Sequence, residues 1–135
     1  RGDMSVKKNT ELKLPFASLK CPTDNIIELI IDEGVEISVD MARALHEVIE
    51  QWVDDEPTGF VVHKLHSYSV SFEAQQIIGD LPGIAVSAVV AYNQFGEMTA
   101  QQIIAMSEMV ESDIAIFPTL ENAIFWLQKR LSALQ

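Results

Sequence analysis

The sequence predicts an α/β domain: a mostly parallel sheet of four to five strands, an antiparallel N-terminal edge strand and about four helices. Three observations carry this reading. The β-branched run Phe60 to Leu65 passes through a short Ser-rich turn into a helical pattern starting at Phe72, which is half of a βαβ unit. The run Ile84 to Ala91 is almost uninterruptedly apolar, as expected of a parallel strand covered on both faces. Helical segments separate the later strands, and connections of that kind are right-handed crossovers in nearly all known cases.

Taken in order, residues 1–10 are polar and lack periodicity, so they read as a disordered tail ahead of a single domain spanning residues 11–135. Leu12, Leu14 and Phe16 alternate with Lys13 and Pro15. That is a short strand, and Pro15 confines it to an edge because proline cannot donate to a ladder. Cys21 to Asn25 is a cluster of turn residues, and Ile26 to Ile31 is a second strand that pairs with the first through that turn. Asp32, Glu33 and Gly34 break it.

Ser38 is a good N-cap for a first helix, with Asp40 at the positive end of its dipole. Met41, Leu45, Val48, Ile49, Trp52 and Val53 form its apolar face. Pro57 stops the helix and Gly59 restarts the chain into the central strand. Ser71 caps a short second helix from Phe72 to about Ile78. After the Ile84–Ala91 strand, Tyr92 to Gly96 reads as a loop, and Thr99 as the cap of a third helix carrying Ile103, Met106 and Val110. Ile114 to Phe117 is the last strand. Thr119 caps a final helix whose inner face is Leu120, Ile124, Leu127, Leu131 and Leu134.

Composition limits the function. The formal charge is −11. Between Cys21 and Gln128 there are eighteen acidic residues against two basic ones, Arg43 and Lys64. Nucleic acid and anionic membrane surfaces demand clustered cations, so neither is an expected partner. The bland meaning of the acidity is solubility; the sharper one is a basic partner. A single cysteine, Cys21, cannot make an internal bridge and fits a reducing compartment. No apolar run approaches the roughly 18 residues needed to span a bilayer, and no basic-then-apolar leader opens the chain. Arg1 to Met4 reads as a processing scar before a start methionine. A cytoplasmic, soluble protein is expected.

The β-β-α-β-α-β-α-β-α order resembles the STAS domain of bacterial anti-sigma-factor antagonists, and more closely the SpoIIAA-like bacterial domains of uncharacterised function. Three stretches carry the resemblance: Ile26 to Ile31 with the following Gly34 to Val39; Val61 to Leu65 with Val70 to Ala74; and Ile116 to Leu127, which holds a strand, an acidic helix start, an Ala and the Trp126-Leu127 pair. In the anti-sigma antagonists an Asp-Ser-(Ser/Thr)-Gly turn after the central strand carries a phosphorylated Ser. The corresponding turn here, His66 to Ser71, keeps serines at positions 67, 69 and 71 but lacks the Asp and the Gly. The resemblance therefore implies a contact site in this turn and does not extend to phosphorylation. It also implies a regulatory role.

Candidate chemistry is sparse. His63 lies in a strand, His66 opens the turn and His46 lies in the first helix. Two neighbouring histidines without a Cys or carboxylate beside them in sequence do not make a metal site, so no metal and no cofactor is expected. A nucleophile needs a base oriented by a third group, and sequence adjacency of His66 and Ser67 says nothing about geometry. Neither a Gly-x-Ser-x-Gly elbow nor a phosphate loop is present.

Two candidate sites follow, neither catalytic. Ser67, Tyr68, Ser69, Ser71 and Phe72 form a partner-docking turn at the carboxyl end of the central strand, where open α/β sheets carry their sites. The helix start at Ser71 also offers free N–H groups to an anion, and the plain alternative there is an N-cap. Tyr92, Phe95, Met106 and Met109 form a candidate cleft for an apolar ligand; the plain alternative is packing of the third helix on the sheet. Phe125 and Trp126 are consecutive and cannot share a helical face, so one must be partly exposed, which argues mildly for self-association as a homodimer. The leading expectation is a non-enzymatic protein-interaction or regulatory module; the alternative is a lipid or apolar small-molecule binding domain.

Overall fold

The computed structural model describes residues 10–53, 55–64, 69–78, 81, 83–106 and 113–134. The chain runs β1 (Glu11–Leu14), β2 (Ala17–Thr23), β3 (Ile26–Ile31), β4 (Glu36–Ile37), α1 (Val39–Trp52), β5 (Thr58–Lys64), β6 (Ser69–Val70), α2 (Phe72–Ile78), β7 (Ile84–Ala91), α3 (Gln94–Met106), β8 (Ile114–Phe117) and α4 (Leu120–Ala133). Six strands form one sheet in the order β1-β2-β3-β5-β7-β8. The N-terminal pairs β1–β2 and β2–β3 are antiparallel, and β3–β5, β5–β7 and β7–β8 are parallel. This is the expected class, a mostly parallel α/β sheet with four helices.

The strand count is six because Ala17–Thr23, part of which had the look of a turn, is itself a strand. The first strand therefore pairs with β2 and not with β3. Pro22 is accommodated because the β2–β3 register shifts between Lys20 and Thr23, beyond the last residue that β1 covers. The turn shrinks to Asp24 and Asn25, and Asn25 takes the left-handed backbone, φ 66°, that asparagine tolerates.

Two cores flank the sheet. On one face Ala17, Leu19, Ile27, Leu29, Ile31 and Phe60 meet Ala42, Leu45 and Ile49 of α1 and Ala74 of α2. On the other, Ile26, Val61, Val86, Ala88 and Val90 meet Ala123, Leu127 and Leu131 of α4. The alternation follows from the two-residue period of a strand, and β7, buried along most of its length, supplies both sides. Gly59 permits the close approach of α4: a Cβ there would lie 3.2 Å from Leu131 Cδ1 and 3.4 Å from Leu127 Cδ2. Gly83, at φ +80°, enters β7 where a Cβ would fall 2.8 Å from the Val53 side chain.

The helix caps form largely as the sequence predicts. Ser38 Oγ accepts from the Met41 N–H and Thr119 Oγ1 from the Asn122 N–H. The third helix is the exception. It begins at Gln94, inside the stretch expected to be a loop, and Asn93 Oδ1 caps it by accepting from the Gly96 N–H at 2.8 Å. Thr99 sits within the helix and donates back to the Gly96 carbonyl at 3.0 Å. Leu134, placed by periodicity on the inner face of α4, is the C-cap residue and is exposed. Phe125 and Trp126 divide as expected. Phe125 faces solvent, and Trp126 packs on Phe117 at 5.3 Å between ring centroids, under the Arg130 guanidinium.

Candidate functional site

The parallel strands end together, and α1, α2, α3 and α4 all begin at that end. One face of the sheet there carries a row of polar side chains. Register places Lys20 opposite Glu28, Glu28 opposite Val61, and His63 opposite Val90. With a two-residue period, Lys20, Glu28, His63 and Tyr92 all project from the α4 side of the sheet. They form a chain from β2 through β3 and β5 to the residue that follows β7. Lys20 Nζ lies 4.0 Å from Glu28 Oε1, Glu28 Oε2 contacts His63 Nε2, and His63 Nδ1 lies 2.7 Å from the Tyr92 hydroxyl. The rings of His63 and Tyr92 stack, 8° from parallel with centroids 5.8 Å apart.

Burial grades along this row. Glu28 is 2% and His63 4% exposed, whereas Tyr92 is 45% exposed. A carboxylate so buried needs a partner, because an unpaired charge taken from water costs several kcal/mol. His63 supplies that partner. Glu28 Oε1 has no hydrogen bond of its own, leaving Lys20 as its nearest cation. Tyr92 titrates above the ordinary tyrosine range, first because of burial and second because of the Glu28 charge. Its hydroxyl therefore stays protonated across the physiological range.

The predicted docking turn is partly described. Ser67 and Tyr68 lie outside the described residues, as does His66. Ser69 and Val70 are not a free turn. They pair in parallel with Glu36 and Ile37, and the Ser69 and Ser71 N–H groups donate to the Val35 and Ile37 carbonyls at 3.0 and 3.1 Å. Ser71 Oγ accepts from the Ala74 N–H at 3.2 Å, which is the N-cap role. Ser69 is exposed, and Phe72, the first residue of α2, is 52% exposed.

Of the predicted cleft residues, Tyr92 directly follows β7 and Phe95 stands in the first turn of α3, 69% exposed. Met106 closes α3 about three turns further along, so the two ends of the proposed cleft are separated by the length of the helix. Met109 lies outside the described residues. Met98, one turn from Phe95, is 56% exposed. The structure thus gathers Ser69, Phe72, Tyr92, Phe95 and Met98 at the carboxyl end of the sheet and leaves Met106 away from them.

Among the described residues no group of three or more His, Cys, Asp or Glu is placed to hold a metal, and no helix is long and apolar enough to cross a membrane. Cys21 is buried, its Sγ 2.8 Å from the Thr23 carbonyl, and burial pushes its thiol up; such a thiol is not a nucleophile. His46 is half-buried on α1.

Glu28 escaped sequence reasoning. Its signal was a lone carboxylate in the otherwise apolar strand Ile26 to Ile31, since an acid at a core position calls for a buried partner. The partner His63 is 35 residues away and is brought close only by the β3–β5 pairing. No family model, no curated protein and no solved structure matches the chain.

Proposed function

We propose that the chain is a STAS-like, SpoIIAA-type regulatory module of the cytoplasm, non-enzymatic, that docks a protein partner on the carboxyl-end rim of its sheet. The observation that carries this is where its exposed apolar side chains stand. Of the seven large hydrophobic residues exposed among the described ones, Phe72, Tyr92, Phe95 and Met98 are at this single end. Scattered exposed apolar residues are ordinary; grouping at the end of an α/β sheet where binding sites form is not. The described part of the Ser67–Phe72 stretch, Ser69 and Phe72, joins this surface. The β4–β6 ladder and the Ser71 cap hold it in a fixed shape, which lowers the ordering cost of binding. The test is alanine substitution at Ser69, Phe72, Tyr92 and Phe95, with affinity measured for a partner isolated by affinity capture. Unchanged affinity across all four refutes the reading.

A second reading, an apolar small-molecule binder, draws on Tyr92 and Phe95, a half-exposed phenol and a largely exposed ring close in the chain. Native mass spectrometry separates the two. A bound mass that vanishes on denaturation and is lost in Phe95→Ser favours the small molecule; a clean apo mass favours the protein partner.

A further inference from the structure

We infer that the occupant of this rim is a cationic amphipathic segment of a partner protein, with apolar side chains flanked by Lys or Arg. The inference rests on the docking reading above and adds the partner's chemistry. Two independent observations point the same way.

The first is charge. Every helix opens at this end, and each places an exposed carboxylate in its first turn: Asp40, Glu73, Glu97 and Glu121. Glu33 and Glu36, exposed after β3, add two more. Lys13, Lys20 and Arg43 are cations toward this end among the described side chains; Lys13 Nζ is 3.0 Å from Asp32 and Lys20 Nζ 4.0 Å from Glu28. The apolar side chains Phe72, Phe95 and Met98 therefore stand at an end where exposed carboxylates outnumber cations among the described side chains. Complementary charge steers encounter and excludes like-charged competitors. A second copy of this chain would bring the same carboxylates to the contact, and an anionic lipid surface would be repelled.

The second is the state of the Tyr92 hydroxyl. His63 bridges the two neighbours, with Nε2 on the Glu28 carboxyl and Nδ1 2.7 Å from the Tyr92 hydroxyl. Whichever of the last two atoms carries the shared hydrogen, the Tyr92 oxygen keeps a lone pair. Tyr92 is 45% exposed, so this lone pair can accept from an incoming partner. An ammonium or guanidinium is the donor that the surrounding carboxylates also favour.

The test titrates the full chain with two synthetic amphipathic peptides of equal length and apolar face, one with Lys and one with Glu on the polar face, by isothermal calorimetry at low and moderate salt. The expected result is binding of the Lys peptide at least about tenfold tighter than the Glu peptide, weakening as salt rises. Glu97→Gln with Glu121→Gln should lower the preference several-fold while leaving the circular dichroism spectrum unchanged. Phe95→Ser should weaken both peptides. Equal binding of the two peptides, still lost in Phe95→Ser, overturns the cationic assignment and leaves the docking reading standing. Binding that Phe72→Ser and Phe95→Ser both leave intact overturns the docking reading itself. Self-association lost in Phe95→Ser, without Lys-peptide binding, assigns the rim to a second copy and overturns the proposal.

Discussion

His63 Nδ1 and the Tyr92 hydroxyl are 2.7 Å apart, beneath rings stacked 8° from parallel. This contact joins the buried polar pair at the middle of the sheet to a residue that solvent can reach. Removing the hydroxyl in Tyr92→Phe leaves Nδ1 without its hydrogen-bond partner while the stacking remains. We expect a loss of about 1 kcal/mol, the usual size of one neutral hydrogen bond, read as a lower denaturant midpoint at unchanged slope.

The Glu28–His63 pair should show strong coupling. Glu28→Leu leaves Nε2 of a buried imidazole without its partner, and His63→Phe leaves a buried carboxylate without its hydrogen bond. Each should cost about 1–3 kcal/mol, and the second the more. The double substitution removes both polar groups and should cost less than the sum of the singles. A double-mutant cycle by urea unfolding measures this; strict additivity would mean that the two groups do not depend on each other.

Alkaline stability reports on Tyr92. Its phenol is uncharged when protonated, and burial, then the Glu28 charge, raise its pKa in the fold. The folded state therefore holds this proton more tightly than the unfolded chain does. The resulting stability is complete below the unfolded value near 10 and is lost as pH climbs through the higher folded value. As pH rises beyond about 10 the wild-type midpoint should fall more steeply than that of Tyr92→Phe. Parallel slopes for the two proteins would show that Tyr92 titrates as a free tyrosine.

Gly59 sets the distance between β5 and α4. A methyl group there meets Leu131 at 3.2 Å and Leu127 at 3.4 Å. Gly59→Ala should destabilise by about 1–3 kcal/mol through overpacking, and the penalty should shrink in a Leu131→Val background where the methyl has room. Thermal unfolding of the four proteins checks this, and an equal penalty in both backgrounds would place the strain elsewhere.

The parallel sheet was legible because its strands are signalled locally, by the apolar runs Ile26 to Ile31 and Ile84 to Ala91 and by the caps Ser38, Ser71 and Thr119. Three features were not. The strand β2 contains Cys21, Pro22 and Thr23, turn-like by composition, and is fixed by pairing on both sides. The start of α3 is set by Asn93, which reads equally as a loop residue until its Oδ1 is seen to cap the Gly96 N–H. The polar row was invisible because Glu28, His63 and Tyr92 lie on or directly after three different strands, and only the sheet order makes them neighbours. The stretch read as a docking turn is, in its described part, less free than its composition suggests: β4 takes up the backbone of Ser69 and Ser71, a long-range pairing that no local pattern announces.

The rim assignment is tested most directly by nuclear magnetic resonance, following amide shifts of the labelled protein as the Lys-bearing amphipathic peptide is added. The shifts should concentrate on Phe72, Tyr92, Phe95, Met98 and the first turns of α2 and α3. Shifts concentrated instead on β1 or on the C-terminal half of α4, with the rim unmoved, would contradict it.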